Sequence, residues 1–233
     1  DNVSFRVDTG DKVGLVGRNG AGKTTLTRVI SGELPATDGH VNVTGEVGYL
    51  PQDPRAGDPD STARSRILDA RGLGSVMAEM GAATLAMADT DEAVSAAAMK
   101  KYGRINDRFL ALGGYQAEAE AAAIASHLNL PPAILDQSLG TLSGGQRRRI
   151  ELARILFQNA PLMVLDEPTN HLDVDSVVWL RAFLQSYPGG VIVISHDVAL
   201  VEQTVNRVFY LDANRATIDI YNMSWKHYLR QRE

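Results

Sequence analysis

The sequence predicts an α/β fold with a mainly parallel sheet and an inserted helical segment. Three observations carry that expectation. Apolar runs at residues 12–16, 162–165 and 191–194 are each followed by a stretch of helical spacing, and strands alternating with helices pack into a parallel sheet covered on its faces. A glycine-rich turn at residues 17–22 joins the first run to the helix after it. Between residues 57 and 140 there are 19 alanines and few β-branched side chains, a composition that favours helix over strand.

Taken in order, the chain opens on Asp1, Asn2, Val3, Ser4 and Phe5, with no Met and no signal-peptide pattern. This reads as the middle of a strand, so the chain is expected to be a piece of a longer one. Phe5, Arg6 and Val7 alternate as a strand does, and Thr9, Gly10 and Asp11 make a turn. Residues 24–30 have helical spacing and stop at Gly32, a C-terminal glycine cap. Residues 40–43 and 47–50 read as short strands. Pro131 and Pro132 interrupt the helical segment near its end, and residues 144–157 form a basic amphipathic helix. The expected division is residues 1–56 and 141–220 for the two parts of the sheet-containing core, 57–140 for a mostly helical subdomain with room for a short arm, and 221–233 for the start of a linker helix.

The composition bounds the function. With 23 basic and 28 acidic residues the net charge is −5, which argues against a protein that coats nucleic acid through charge alone. The absence of cysteine excludes disulfides, thiolate zinc sites and a catalytic thiol, and fits a reducing, cytoplasmic setting. No apolar run reaches the length that spans a bilayer.

Gly17, Arg18, Asn19, Gly20, Ala21, Gly22, Lys23 and Thr24 fit the pattern G-x-x-x-x-G-K-[ST], between an apolar strand and a helix. Glycines let the backbone bend until its N–H groups converge on phosphate oxygens. The helix N-terminus adds positive potential. Lys23 has the reach to bridge β- and γ-phosphates, and the Thr24 hydroxyl can ligate Mg²⁺. Asp166 and Glu167 close the run at 162–165. Alone they read equally as an acidic exit from a strand. Beside the phosphate loop, Asp166 suits Mg²⁺, and Glu167, pointing the other way along the strand, suits the water that attacks a γ-phosphate.

Four further elements bring in a family. Gln52 follows Tyr49, Leu50 and Pro51. Leu142, Ser143, Gly144, Gly145 and Gln146 spell the LSGGQ signature. Residues 166–173 join the acid pair to Asp173, and Ser195, His196 and Asp197 follow the next apolar run. Order and spacing from Gly17 to Asp197 resemble the nucleotide-binding domain of ABC ATPases. That resemblance implies a P-loop NTPase cassette with a mainly parallel core sheet, an antiparallel β portion and an inserted helical subdomain. It implies ATP and Mg²⁺ as ligands, with ATP contacted by Gly17, Asn19, Gly20, Ala21, Gly22, Lys23, Thr24 and Thr25, and Mg²⁺ by Thr24, Gln52 and Asp166. Glu167, His196 and Gln52 would be catalytic. Ser143, Gly144, Gly145 and Gln146 would contact the ATP of a second cassette, and Asp173, in the D-loop, would lie at the seam between the two. Singly, His196 also reads as a surface histidine and Ser143 as a helix cap.

Asn170 and His171, the 90 residues between Gln52 and Ser143, and the sequence from Tyr221 to Arg230 resemble the first cassette of an ABC-F protein. This implies a second cassette on the same polypeptide and the ribosome and its RNA as partner, in translation or antibiotic resistance. An ATPase subunit of a membrane transporter shares every catalytic residue and is the alternative. Trp225, Tyr228 and Leu229 share a helix face, which fits either the entry to an inter-cassette linker or a terminal helix packed on its own domain. The family's adenine-stacking aromatic lies further before the phosphate loop than this chain reaches. Phe5 is read as core, and no base-contacting residue is assigned.

Overall fold

The computed structural model describes residues 3–53 and 57–232. In chain order its elements are β1 (Lys12–Val16), α1 (Lys23–Ile30), β2 (Val47–Leu50), α2 (Ala63–Leu68), α3 (Leu73–Ala86), α4 (Glu92–Ala111), α5 (Gly114–His127), α6 (Pro132–Leu135), α7 (Gly144–Gln158), β3 (Leu162–Asp166), α8 (Val174–Ser186), β4 (Gly190–Ile194), α9 (Val198–Thr204), β5 (Arg207–Asp212), β6 (Thr217–Tyr221) and α10 (Trp225–Arg232). They form two compact units, one of residues 1–54 with 159–233 and one of residues 55–158.

The first unit holds a six-stranded sheet in the order β2-β3-β4-β1-β5-β6. The first five strands run parallel, and β6 returns antiparallel to β5. This is the α/β sheet expected, with its antiparallel portion. Strands β1, β3 and β4 are apolar nearly throughout because helix connections cover both faces of a parallel sheet. Val13, Leu15, Val164, Ile192 and Phe209 are at most 2% exposed and form its core. The register sets Leu50 beside Leu165, Asp166 beside Ile194 and Gly14 beside Val193. The carboxyl ends of β2, β3, β4 and β1 therefore lie along one edge, where open α/β sheets place their ligands.

Two expected strands do not form. Residues 5–7 join no ladder among the described residues. The alternation still acts through side chains: Val3, Phe5 and Val7 pack on the core, and the Phe5 and Phe209 rings meet edge to face at 5.3 Å. Phe5 thus packs against the core as expected, though partly buried and outside any strand. Residues 40–43 are exposed and irregular. Alternating apolar residues make a strand only when a neighbouring backbone accepts the ladder bonds, and among the described residues none does so here. Tyr228 on α10 is buried, with its ring 5.0 Å from Tyr221 and 5.3 Å from Trp225. Of the two readings of this segment, packing on its own unit describes Tyr228, whereas Leu229 stays 40% exposed.

The second unit is helical, as the alanine content predicts. Thr62 caps α2 by accepting from Ser65 N–H at 3.2 Å, and Asp91 caps α4 by accepting from Ala93 N–H at 2.9 Å. Helices α3 and α4 pair as a hairpin, and α7 packs on α2 and α5. Residues 144–158 cluster with this unit and not with residues 159–220, and α7 buries apolar side chains on opposite sides, Ile150 and Phe157 on one and Leu152 and Ile155 on the other. Phe157 is fully buried, with the Arg71 guanidinium 3.9 Å above its ring. Phe157→Ala is expected to lower unfolding free energy by about 3–5 kcal/mol, from lost transfer energy plus a residual cavity; urea denaturation of the variant measures it. On the polar side of α7, Glu151 accepts from Arg66 Nε at 2.6 Å and from Arg154 Nε at 2.9 Å. Those contacts set two guanidinium groups against a carboxylate that is only 7% exposed.

Candidate nucleotide site

Strand β1 delivers the chain into the glycine turn. Gly17 has no room for a side chain, since a Cβ there would lie 2.7 Å from the Leu211 carbonyl oxygen. Gly22 takes φ 94°, a left-handed conformation that glycine adopts without strain, and it starts α1 with no side-chain cap. The first-turn N–H groups of a helix have no intrahelical partner, so this uncapped end retains donors and positive potential. Lys23 Nζ donates to Gly17 O at 2.8 Å and Arg18 O at 3.1 Å. The ammonium is thereby folded back over the loop.

Asp166 ends β3 at 2% exposure, and its Oδ2 accepts from Thr24 Oγ1 at 3.2 Å. The next residue departs from strand geometry. Glu167 takes φ +50°, which costs a non-glycine residue about 1–3 kcal/mol and persists only where surroundings enforce it. Its N–H donates to Ile194 O at 2.8 Å, and its carbonyl accepts from Asn170 N–H at 3.3 Å. The left-handed residue ends the strand alternation at Asp166, and both carboxylates line the same cleft.

The loop after β4 closes this side. His196 N–H donates to Glu167 Oε2 at 3.2 Å, and the imidazole Nε2 lies 3.4 Å from Glu167 Oε1. The histidine side chain is 83% exposed and the glutamate side chain 10%, so the ring stands over a nearly buried carboxylate. Beneath α1, the Thr27 hydroxyl donates to Thr24 O at 2.9 Å and lies 3.4 Å from Tyr49 Oη. Burial raises the Tyr49 phenol above its ordinary pKa, with a smaller push from Asp166, so Tyr49 stays protonated.

The cleft is about 570 Å³ and is lined by Asn19, Gly20, Gly22, Lys23, Thr24, Thr25, Gln52, Asp166, Glu167, Asn170, Ile194 and His196. The structure thus gathers Gln52, the acid pair and His196 with most of the glycine loop. Gly17 and Ala21 are not among the lining residues; Gly17 faces Leu211, and Ala21 packs on the core. Asn170 was not expected as a cleft residue. The signal available for it was its place in the turn directly after Glu167. Thr24 Oγ1 and Asp166 Oδ2 are hard oxygen donors at one point of the cleft, the donor set that suits Mg²⁺, which takes few protein ligands.

Ser143, Gly144, Gly145 and Gln146 lie in the helical unit at the start of α7. Ser143 Oγ accepts from Gln146 N–H at 3.2 Å, and Gln146 Oε1 accepts from Ser143 N–H at 2.9 Å, a reciprocal capping box. Ser143 and Gly144 remain exposed. Asp173 caps α8 by accepting from Ser176 N–H at 2.9 Å.

A parallel sheet with a phosphate-type glycine loop, an acid pair and a histidine along one carboxyl edge defines a P-loop ATPase cassette. Residues 1–170 match the ABC transporter family, and the chain belongs to that family. It is similar to the tylosin resistance ATP-binding protein TlrC of Streptomyces fradiae, 39% identical over 90% of this chain and 39% of that protein. It is also similar to the energy-dependent translational throttle protein EttA of Escherichia coli (strain K12), 34% identical over 91% of this chain and 38% of that protein. The chain thus spans under two-fifths of the length of these relatives. Among solved structures, the ATP binding subunit of an ABC transporter aligns at TM-score 0.71, with 18% identity over 99% of this chain and 85% of that one. A dimeric ATP-binding cassette in a post-hydrolysis state, bound to ADP and phosphate, aligns at TM-score 0.65, with 18% identity over 95% of this chain and 89% of that one. Both share the fold. Among the described residues no helix is long and apolar enough to cross a membrane.

Proposed function

We propose that this cassette binds and hydrolyses ATP as half of a nucleotide-driven switch in an ABC-F type protein acting on the ribosome. The observation that carries the catalytic part is the meeting of Lys23, Asp166, Glu167, His196 and Gln52 around one cleft. The similarity to TlrC, whose name records tylosin resistance, and to EttA, whose name records translational throttling, supports the ribosomal part.

The residues divide the work by chemistry. Donors of the loop and the first turn of α1, from Asn19 to Thr25, take the phosphates, and Lys23 swings from its loop carbonyls to the β- and γ-oxygens. Thr24, Asp166 and Gln52 hold Mg²⁺, which when bound neutralises charge on the β- and γ-phosphate oxygens. Glu167 orients the attacking water and accepts its proton. His196, beside it, donates to the γ-phosphate. Ser143, Gly144, Gly145 and Gln146 serve the ATP of a second cassette, with Asp173 at the seam. Closure of two cassettes excludes water and strengthens each charged contact. Phosphate release then lets them part.

The ATPase subunit of a membrane transporter is the second reading, favoured by the fold similarity to such a subunit. Co-sedimentation of the full-length Glu167→Gln variant with ATP separates the two. Recovery with ribosomes is the expected result; recovery only with membranes would move the assignment to transport.

A further inference from the structure

We infer that Arg181 and Asp197 form a positioning pair that ties helix α8 to the loop carrying His196, an inference that rests on the proposed role of His196 at the γ-phosphate. The need for such a device comes from exposure. The His196 side chain is 83% exposed, so packing does little to hold the imidazole. Its placement falls to the backbone at residues 195–197 and to the Glu167 contacts.

Asp197 organises that backbone from one side. Its Oδ1 accepts from Leu200 N–H at 2.9 Å, capping α9, and its own N–H donates to Ser195 Oγ at 3.0 Å. The same carboxylate accepts from Arg181 Nη2 at 3.4 Å on Oδ1 and 3.3 Å on Oδ2. The two side chains are 19% and 22% exposed, which shields this ion pair from much of the screening that weakens surface pairs. Arg181 sits about two turns into α8, whose first turn is fixed by the Asp173 cap. One helix therefore runs from the D-loop aspartate to the arginine that grips the histidine loop. Arg181 Nε is buried with no hydrogen-bond partner among the described residues. An unsatisfied donor subtracts from stability, so stability alone is a poor account of an arginine here.

Kinetics of the full-length protein test this. Asp197→Asn keeps the α9 cap, since an asparagine oxygen caps as well as an aspartate one, yet removes the charge facing Arg181. Arg181→Met removes the other partner. Each is expected to lower kcat about ten- to hundredfold, up to the loss a misplacement of about 1 Å can cause, with KM for ATP changed less than about twofold. The double variant is expected to match either single one, as residues that act through each other do. Arg181→Lys is expected to recover most of the rate, because a single nitrogen makes both contacts. Unchanged kcat with a lowered Tm, or losses that add, would overturn the pair as a positioning device. His196→Ala is the control. If it abolishes turnover while Arg181→Met does not, only the pair falls; if it leaves turnover intact, the role of His196 falls and the pair's assignment with it.

Discussion

Glu167→Gln in the full-length protein is expected to retain ATP and lose turnover by about 10²–10⁴-fold, the range that positioned general bases contribute. The amide matches the carboxylate in shape, and its oxygen can still accept from His196 N–H, a contact now made at 3.2 Å. What disappears is the basicity that takes a proton from water. With γ-phosphate uncleaved, the two cassettes should stay closed, so a compact ATP-dependent species should accumulate in size-exclusion chromatography. Phosphate-release measurements decide the matter: wild-type turnover in the variant would remove Glu167 as the base. The φ of +50° at this residue adds a structural corollary. Glutamine tolerates that conformation about as well as glutamate, so loss of activity should come without loss of fold.

Lys23→Ala is expected to weaken ATP binding about ten- to hundredfold, since charge-assisted hydrogen bonds contribute roughly 1.5–3 kcal/mol. The ammonium now donates to Gly17 O and Arg18 O, so it is already placed within the loop it would serve. Alanine removes a cation from the phosphate side of the cleft and also frees those two carbonyls. Titration calorimetry with ATP and with ADP separates the effects. A loss confined to ATP locates the contact at the γ-phosphate, an equal loss for both locates it at the β-phosphate, and equal affinity to wild type takes Lys23 out of the site.

The site motifs were legible in the sequence because each is local. A glycine turn ending in Lys23 and Thr24, an acid pair closing an apolar run, and the signature at residues 142–146 all carry their chemistry within a few residues. Helix α7 was legible for the same reason, since its apolar spacing persists over four turns. Less legible was whatever depends on a partner backbone. Residues 40–43 have the alternation of a strand but gain no ladder neighbour among the described residues, whereas residues 47–50, no more strand-like, pair with β3.

Composition and local pattern were thus enough to specify the α/β class, the phosphate loop, the acid pair and the helical insertion, since these arise from interactions between residues near in sequence. Tertiary structure alone decided that Glu167 takes a left-handed backbone, that His196 stands over Glu167, and that Arg181 reaches Asp197. Those contacts join the ends of separate strands and helices. Their geometry is set by strand order and register, which no short stretch of sequence contains.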